Sequence, residues 1–138
     1  MTKKTYLLLD DIRSPFDVFL YTFKLKYLFR KWLVVRNYND LTTYILNYGM
    51  PYFISFDHDL HPSHYTPKEY WNDYGLSKRW QESQPKIEPN GEDCAKFIKA
   101  RMLYSNWENN GMVKPKFYVH SKNPVGRDKI INVLKDLK

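Results

Sequence analysis

Short apolar runs alternate with helically spaced apolar positions along this chain. "TYLLLDD" predicts a buried strand over Tyr6–Leu9 that ends in acid. "WLVVRNY" predicts a second strand, "YFISFD" a third and "KPKFYVHS" a fourth. Continuous apolar runs of this length, bounded by polar residues, suit strands buried on both faces. After the second strand, Leu41, Tyr44, Ile45 and Tyr48 recur at i, i+3, i+4, i+7, the apolar stripe of a helix. Asn39 is its expected cap, and Gly49 and Pro51 its end. "NGEDCAKFIKARMLYSNWENNG" predicts another helix, with Asn90 before it, Glu92 and Asp93 in its first turn and Gly111 beyond it. "NPVGRDKIINVLKDLK" predicts a closing helix with Ile130, Leu134 and Leu137 facing inward. "SPFDVFLYTFKLKYLFRK" fits neither period, and only part of it reads as helix.

Strands alternating with helices predict an α/β fold with a mainly parallel sheet. Between the third strand and the next helix lies a long segment, read as an insertion at 60–89 with one short helix near Pro67–Tyr74. It is rich in aromatics, among them Tyr65, Tyr70, Trp71, Tyr74 and Trp80. These predict a small satellite core, with a base-stacking lid as the other reading. In parallel sheets ligands bind beyond the C-terminal strand ends. Three of the four predicted strands end in residues with chemistry: Asp10 and Asp11; Asp57 with His58 and Asp59; His120 and Ser121.

A length of 138 residues predicts one domain. The single cysteine, Cys94, excludes an internal disulfide and a thiolate zinc cluster, and its spacing with Phe97 and Ile98 reads as packing. No run approaches the ~20 apolar residues of a membrane helix. A soluble, cytoplasmic protein is expected. The net charge of +7 is explained either by solubility or by a nucleic acid or phosphorylated ligand, and the modest basic clusters at 24–31 and 114–129 leave both open.

"LLLDDIRSP" with "FISFDHDLHP" resembles a response-regulator receiver domain, with an acidic pair after the first strand, an aspartate after the third and Ser121 after the fourth. With "VVRNY", "GEDCAKFI" and "VHSKNPVGRDKI" in order, the chain more specifically resembles the cyclic-phosphate processing receiver domain, a divergent bacterial and phage branch. The resemblance covers nearly everything except the insertion. It implies a three-layer receiver-like fold, strand order 2-1-3-4, and action on cyclic phosphates of nucleotides or RNA ends. The fifth strand of ordinary receivers, with its lysine, has no counterpart here, and His58 and Asp59 follow Asp57 where receivers are apolar. Both departures favour chemistry on a ligand over a phosphorelay switch.

In that strand order the first and third strands are neighbours, about 4.8 Å apart, so their terminal carboxylates converge. Crowded carboxylates repel unless a cation neutralises them. Asp10, Asp11 and Asp57, extended by Asp59, are therefore the expected ligands of Mg²⁺ or Mn²⁺. Capping of the next helix, or pairing with Arg13, is the alternative. Asp59 could instead orient His58, or merely hold a turn. His61 and His64 read as loop residues. His120 is the expected general acid or base, beside Asp57, His58 and Ser121 as catalytic candidates. Ser121, Asn123 and the start of the last helix form a phosphate cradle, or Ser121 and Asn123 simply cap it. Arg13 and Arg127 are candidate phosphate clamps, and Asp93 a candidate substrate contact. The expected function is a metal-assisted phosphoesterase. The rival is a receiver-like module that binds a protein, nucleotide signal or nucleic acid without turnover.

Overall fold

A computed structural model describes residues 4–104, 114–135 and 137. β1 (Tyr6–Leu9), β2 (Trp32–Val35), β3 (Phe53–Phe56) and β4 (Lys116–Val119) form one sheet in the order β2-β1-β3-β4. All three pairings are parallel. This is the α/β, receiver-like architecture and strand order expected from the sequence, with four strands among the described residues. The strands are shorter than the runs that announced them: Arg36 and Asp57 already lie beyond β2 and β3.

The period of two along each strand sorts side chains to two faces. Leu7, Leu9, Ile54, Phe56 and Val119 face the larger core, completed by Leu41 and Ile45 of α3 (Tyr38–Tyr48), Ile98 and Met102 of α5 (Gly91–Tyr104), and Ile130 and Leu134 of α6 (Pro124–Leu134). On the opposite face Leu8 packs with Val18 of α1 (Pro15–Thr22) and Tyr27 of α2 (Lys26–Phe29). Each fully enclosed leucine contributes roughly 1.5–3 kcal/mol. Cys94 is buried in the larger core, and Leu137 packs there beyond the end of α6.

Several local expectations change. The ambiguous segment at 14–31 is two helices, because Phe23 turns left-handed (φ 55°) and ends α1. Asn37, not Asn39, caps α3: its backbone is extended and its side chain accepts from Asp40 N–H. Tyr48, expected inside, is exposed, so the apolar stripe of α3 is narrower than its spacing suggested. In the insertion, 67–74 carries only a 3₁₀ turn, Lys68–Tyr70, and the true helix, α4 (Tyr74–Ser83), starts after the Asp73 cap. The insertion aromatics build no satellite core. Tyr65, Trp71 and Tyr74 are exposed and act through their polar ends, to Asp11, the Thr66 carbonyl and Asp128 respectively. The expected continuation of α5 through 105–110, with Gly111 after it, lies outside the described residues. Among the described residues no helix is long and apolar enough to cross a membrane.

Candidate acidic centre at the strand ends

Strand register brings the chemistry together. Leu9 stands beside Phe56, and Phe56 beside Val119, so the next residues, Asp10, Asp57 and His120, come level at the C-terminal edge. Ladder hydrogen bonds continue one step further, from Asp57 N–H to the Leu9 carbonyl and from His120 N–H to the Phe56 carbonyl. Ligand atoms of these three buried side chains lie within 4.8 Å of one another.

Asp10 is saturated. Its Oδ1 accepts from the Ile12 and Arg13 N–H groups at 3.1 and 2.9 Å. Its Oδ2 lies 2.9 Å from His120 Nε2 and 3.4 Å from the Arg13 guanidinium. Burial alone would raise its pKa, but the His120 and backbone hydrogen bonds outweigh that and hold it below the ordinary value. Asp57 differs. Burial, then the charges of Asp10 and Asp59, push its pKa up to about 8. Only Arg13, at 3.6 Å from Oδ2, opposes this directly, and Oδ1 accepts from the His58 N–H at 2.8 Å. Asp57 therefore carries a proton at neutral pH in the absence of an ion.

His120 is held at both ring nitrogens. Nε2 faces Asp10, and Nδ1 lies 2.7 Å from Ser55 Oγ, which lies 2.5 Å from the Tyr27 hydroxyl. With Asp10 ionised, one assignment satisfies every atom. Tyr27 donates to Ser55, Ser55 donates to His120 Nδ1, and His120 Nε2–H donates to Asp10. Burial lowers the His120 pKa, and the ring stays neutral. The Tyr21 hydroxyl fixes the backbone by donating to the His120 carbonyl at 2.7 Å.

The other candidates take separate places. Asp11 turns away and accepts from the Tyr65 hydroxyl at 2.6 Å, with its pKa raised chiefly by burial. Asp59 lies 2.8 Å from His58 Nδ1 and accepts from the Asn123 amide at 3.1 Å. Neither joins the gathered set. β3 has ended by then, so strand alternation does not bring Asp59 beside Asp57. His58 lies across the strand end from the acids, its Nε2 buried without a partner. Asn123 caps α6 and Ser121 Oγ accepts from the Asn123 N–H, the capping geometry. Asp93 forms a reciprocal cap with Asn90 at the start of α5 and pairs with Lys86 at 2.6 Å. Arg127 is exposed on α6. His61 caps a 3₁₀ turn, while His64 accepts from Leu60 N–H and donates to the Glu88 carbonyl.

Sequence reasoning passed over Ser55, Tyr27 and Tyr21. One signal was present: Ser55 is the lone hydroxyl in an otherwise apolar "FISF" strand, and a buried hydroxyl demands a partner.

Two carboxylates within this span suit a small divalent cation, with His120, whose Nε2–H is given to Asp10, orienting one of them. The Arg13 guanidinium supplies positive charge to both carboxylates here, so an ion would take over its role.

The family model of the cyclic-phosphate processing receiver domain matches residues 5–136. The chain belongs to that family. No curated protein and no solved structure matches this receiver domain. In this member of the family the strand-end acids meet His120 and Arg13 in one buried centre, and the motif glycines lie against the His58 segment. A Cβ on Gly126 would overlap the His58 ring, and one on Gly91 the backbone of Asp57 and His58. The starts of α5 and α6 are thus pressed onto the DHD loop, which no larger residue would allow.

Proposed function

We propose that this receiver domain is a metal-assisted phosphoesterase acting on cyclic phosphates of nucleotides or RNA ends. The observation that carries it is the buried convergence of Asp10, Asp57 and His120 within 4.8 Å, in a chain of the cyclic-phosphate processing family. Mg²⁺ or Mn²⁺ held by Asp10 and Asp57, with His120 beside them, would polarise a phosphoryl oxygen and lower the pKa of a bound water.

The chain's own residues have distinct parts in this reading. Arg13, released from the acids, is the guanidinium that reaches both carboxylates, and clamps phosphate oxygens. Asp57, whose proton an ion would replace, gives the ion a carboxylate ligand next to Asp10. His120 has a side chain with no exposed surface, so it acts on Asp10, fixing its orientation and charge, and not on the substrate. His58, whose Nδ1 is oriented by Asp59, retains a free nitrogen for proton transfer should a ligand reach the far side of the strand end. Ser121 and Asn123 shape the turn beside it.

The enclosure of Asp10 and His120 favours a second reading, a binding module without turnover. Incubation with Mg²⁺ or Mn²⁺ and 2′,3′- and 3′,5′-cyclic nucleotides, followed by phosphorus NMR, separates them. The enzyme reading expects a cyclic phosphate to open, and Asp57→Asn to abolish this. Tight binding of intact substrates would establish the module.

A further inference from the structure

The face of the sheet under α1 and α2 is thinly covered, and β4 is its open edge. Along it, cations lie on aromatic rings in sequence. At the N-terminal end, Lys4 and Lys116 Nζ sit 4.7 and 5.3 Å from the Tyr52 ring centre. Tyr52 continues to Tyr6 at 5.5 Å, and Tyr6 to Phe53 at 5.7 Å, where Lys26 Nζ sits at 4.3 Å. Further along the β4 edge Lys24 Nζ lies 4.7 Å from Tyr118. At the C-terminal end Lys122 and Arg13 flank the Tyr21 ring at 4.5 and 5.4 Å, and Arg13 is the residue that touches Asp57. The path follows the rise from Phe53 to Asp57, about 13 Å along the strand.

Charge complementarity is one-sided. No acid occurs from Met1 to Leu9, from Val18 to Asn39, from Leu41 to Phe56, or from Pro115 to Arg127. Those segments supply every ring and, apart from Arg13, every cation of the path. Cations within about 6 Å of a ring centre are attracted to its face, so this run gathers positive charge over aromatic surface leading to one site. Lysines at an open edge also discourage pairing with another sheet. That accounts for Lys116 on β4 but not for Lys24, Lys26 or Arg13, which come from the α1–α2 side.

We propose that this path binds single-stranded RNA, laying phosphates along the lysines and bases against the partly exposed rings of Tyr52, Tyr6 and Tyr118, with the strand's end toward Arg13. Ammonium groups now resting on rings would pass to phosphates while bases stack in their place. The choice of RNA rests on the phosphoesterase reading above, because a cyclic phosphate at a strand end requires the neighbouring 2′-hydroxyl. A single strand fits because its bases are free to stack.

The probe is a fluorescent RNA of roughly ten nucleotides with a 3′-hydroxyl, which binds without being a substrate. Anisotropy is followed between about 50 and 200 mM salt. The combined variant Lys24→Gln/Lys26→Gln/Lys116→Gln should lose at least about tenfold in affinity, and its log–log salt slope should shrink by about 2. Tyr118→Leu, which removes no charge, should weaken binding severalfold with an unchanged slope. Circular dichroism verifies folding of both variants. Absence of saturable binding by the native protein, unchanged affinity in both variants, or equal binding of a blunt duplex would overturn the proposal. Opening of a mononucleoside cyclic phosphate does not use the path, and the lysine variant should retain it. RNA binding without any such turnover would remove the phosphoesterase reading and leave the path standing.

Discussion

Burial, with the charges of Asp10 and Asp59, pushes the Asp57 pKa up to about 8. The unfolded counterpart loses its proton near the ordinary carboxyl value of 3.8. Between those values the folded chain holds a proton that the unfolded chain has released, so this group's contribution to stability falls as pH rises, by on the order of a few kcal/mol. Asp10 has a depressed pKa and acts in the opposite sense, but only below its ordinary value. Asp57→Asn mimics the protonated acid. In urea denaturation at about pH 5 and about pH 8, the native protein should lose stability over this interval and the variant should lose much less. Equal losses would remove the buried charge cluster as the cause. The three members of the centre were legible as sequence, since Asp10, Asp57 and His120 each follow an apolar run. Their company was not. Asp11 and Asp59 stand one and two residues from true members, yet Tyr65 and Asn123 draw them elsewhere, and those contacts span 54 and 64 residues.

At the scale of elements, two helix starts meet the loop after β3. Gly91 N–H donates to the His58 carbonyl at 2.8 Å, and Gly126 lies against the His58 ring. Gly126→Ala and Gly91→Ala should each destabilise the protein by at least about 1–3 kcal/mol, read from urea midpoints. Gly75→Ala is the control: its Cβ would meet only Asp73 Oδ1 at 3.6 Å, and a helical glycine replaced by alanine should cost nothing. The central elements were legible because burial on both sides of a parallel sheet leaves continuous apolar runs. The insertion was not, because α4 is polar on most of its surface, carries Gly75 in its first turn and buries only Ser77. Asn39 was the expected cap of α3, but the helix begins two residues earlier, where the extended backbone of Asn37 lets its side chain accept from Asp40 N–H.

At the scale of the whole molecule, Asp10 and Asp57 meet at the C-terminal edge of the sheet, Lys24, Lys26 and Lys116 lie on rings of the α1–α2 face, and Arg13 stands at the junction. A divalent ion at the centre must displace that guanidinium. Mn²⁺ at about 100 times its dissociation constant should stabilise the native protein by about 2.7 kcal/mol, seen as a rise in melting temperature. Arg13→Gln should melt lower without the ion and gain more from it. No shift in either protein would exclude the ion from the proposed chemistry.

The hydrogen-bonded line from Asp10 through His120 and Ser55 ends at Tyr27, whose ring is stacked on Trp32 at 4.9 Å. Whatever alters the charge at the strand ends is therefore linked, on the same face of the sheet, to an indole at the start of β2. Trp32 emission, read with the other tryptophans replaced, should therefore change when the charge at the strand ends changes.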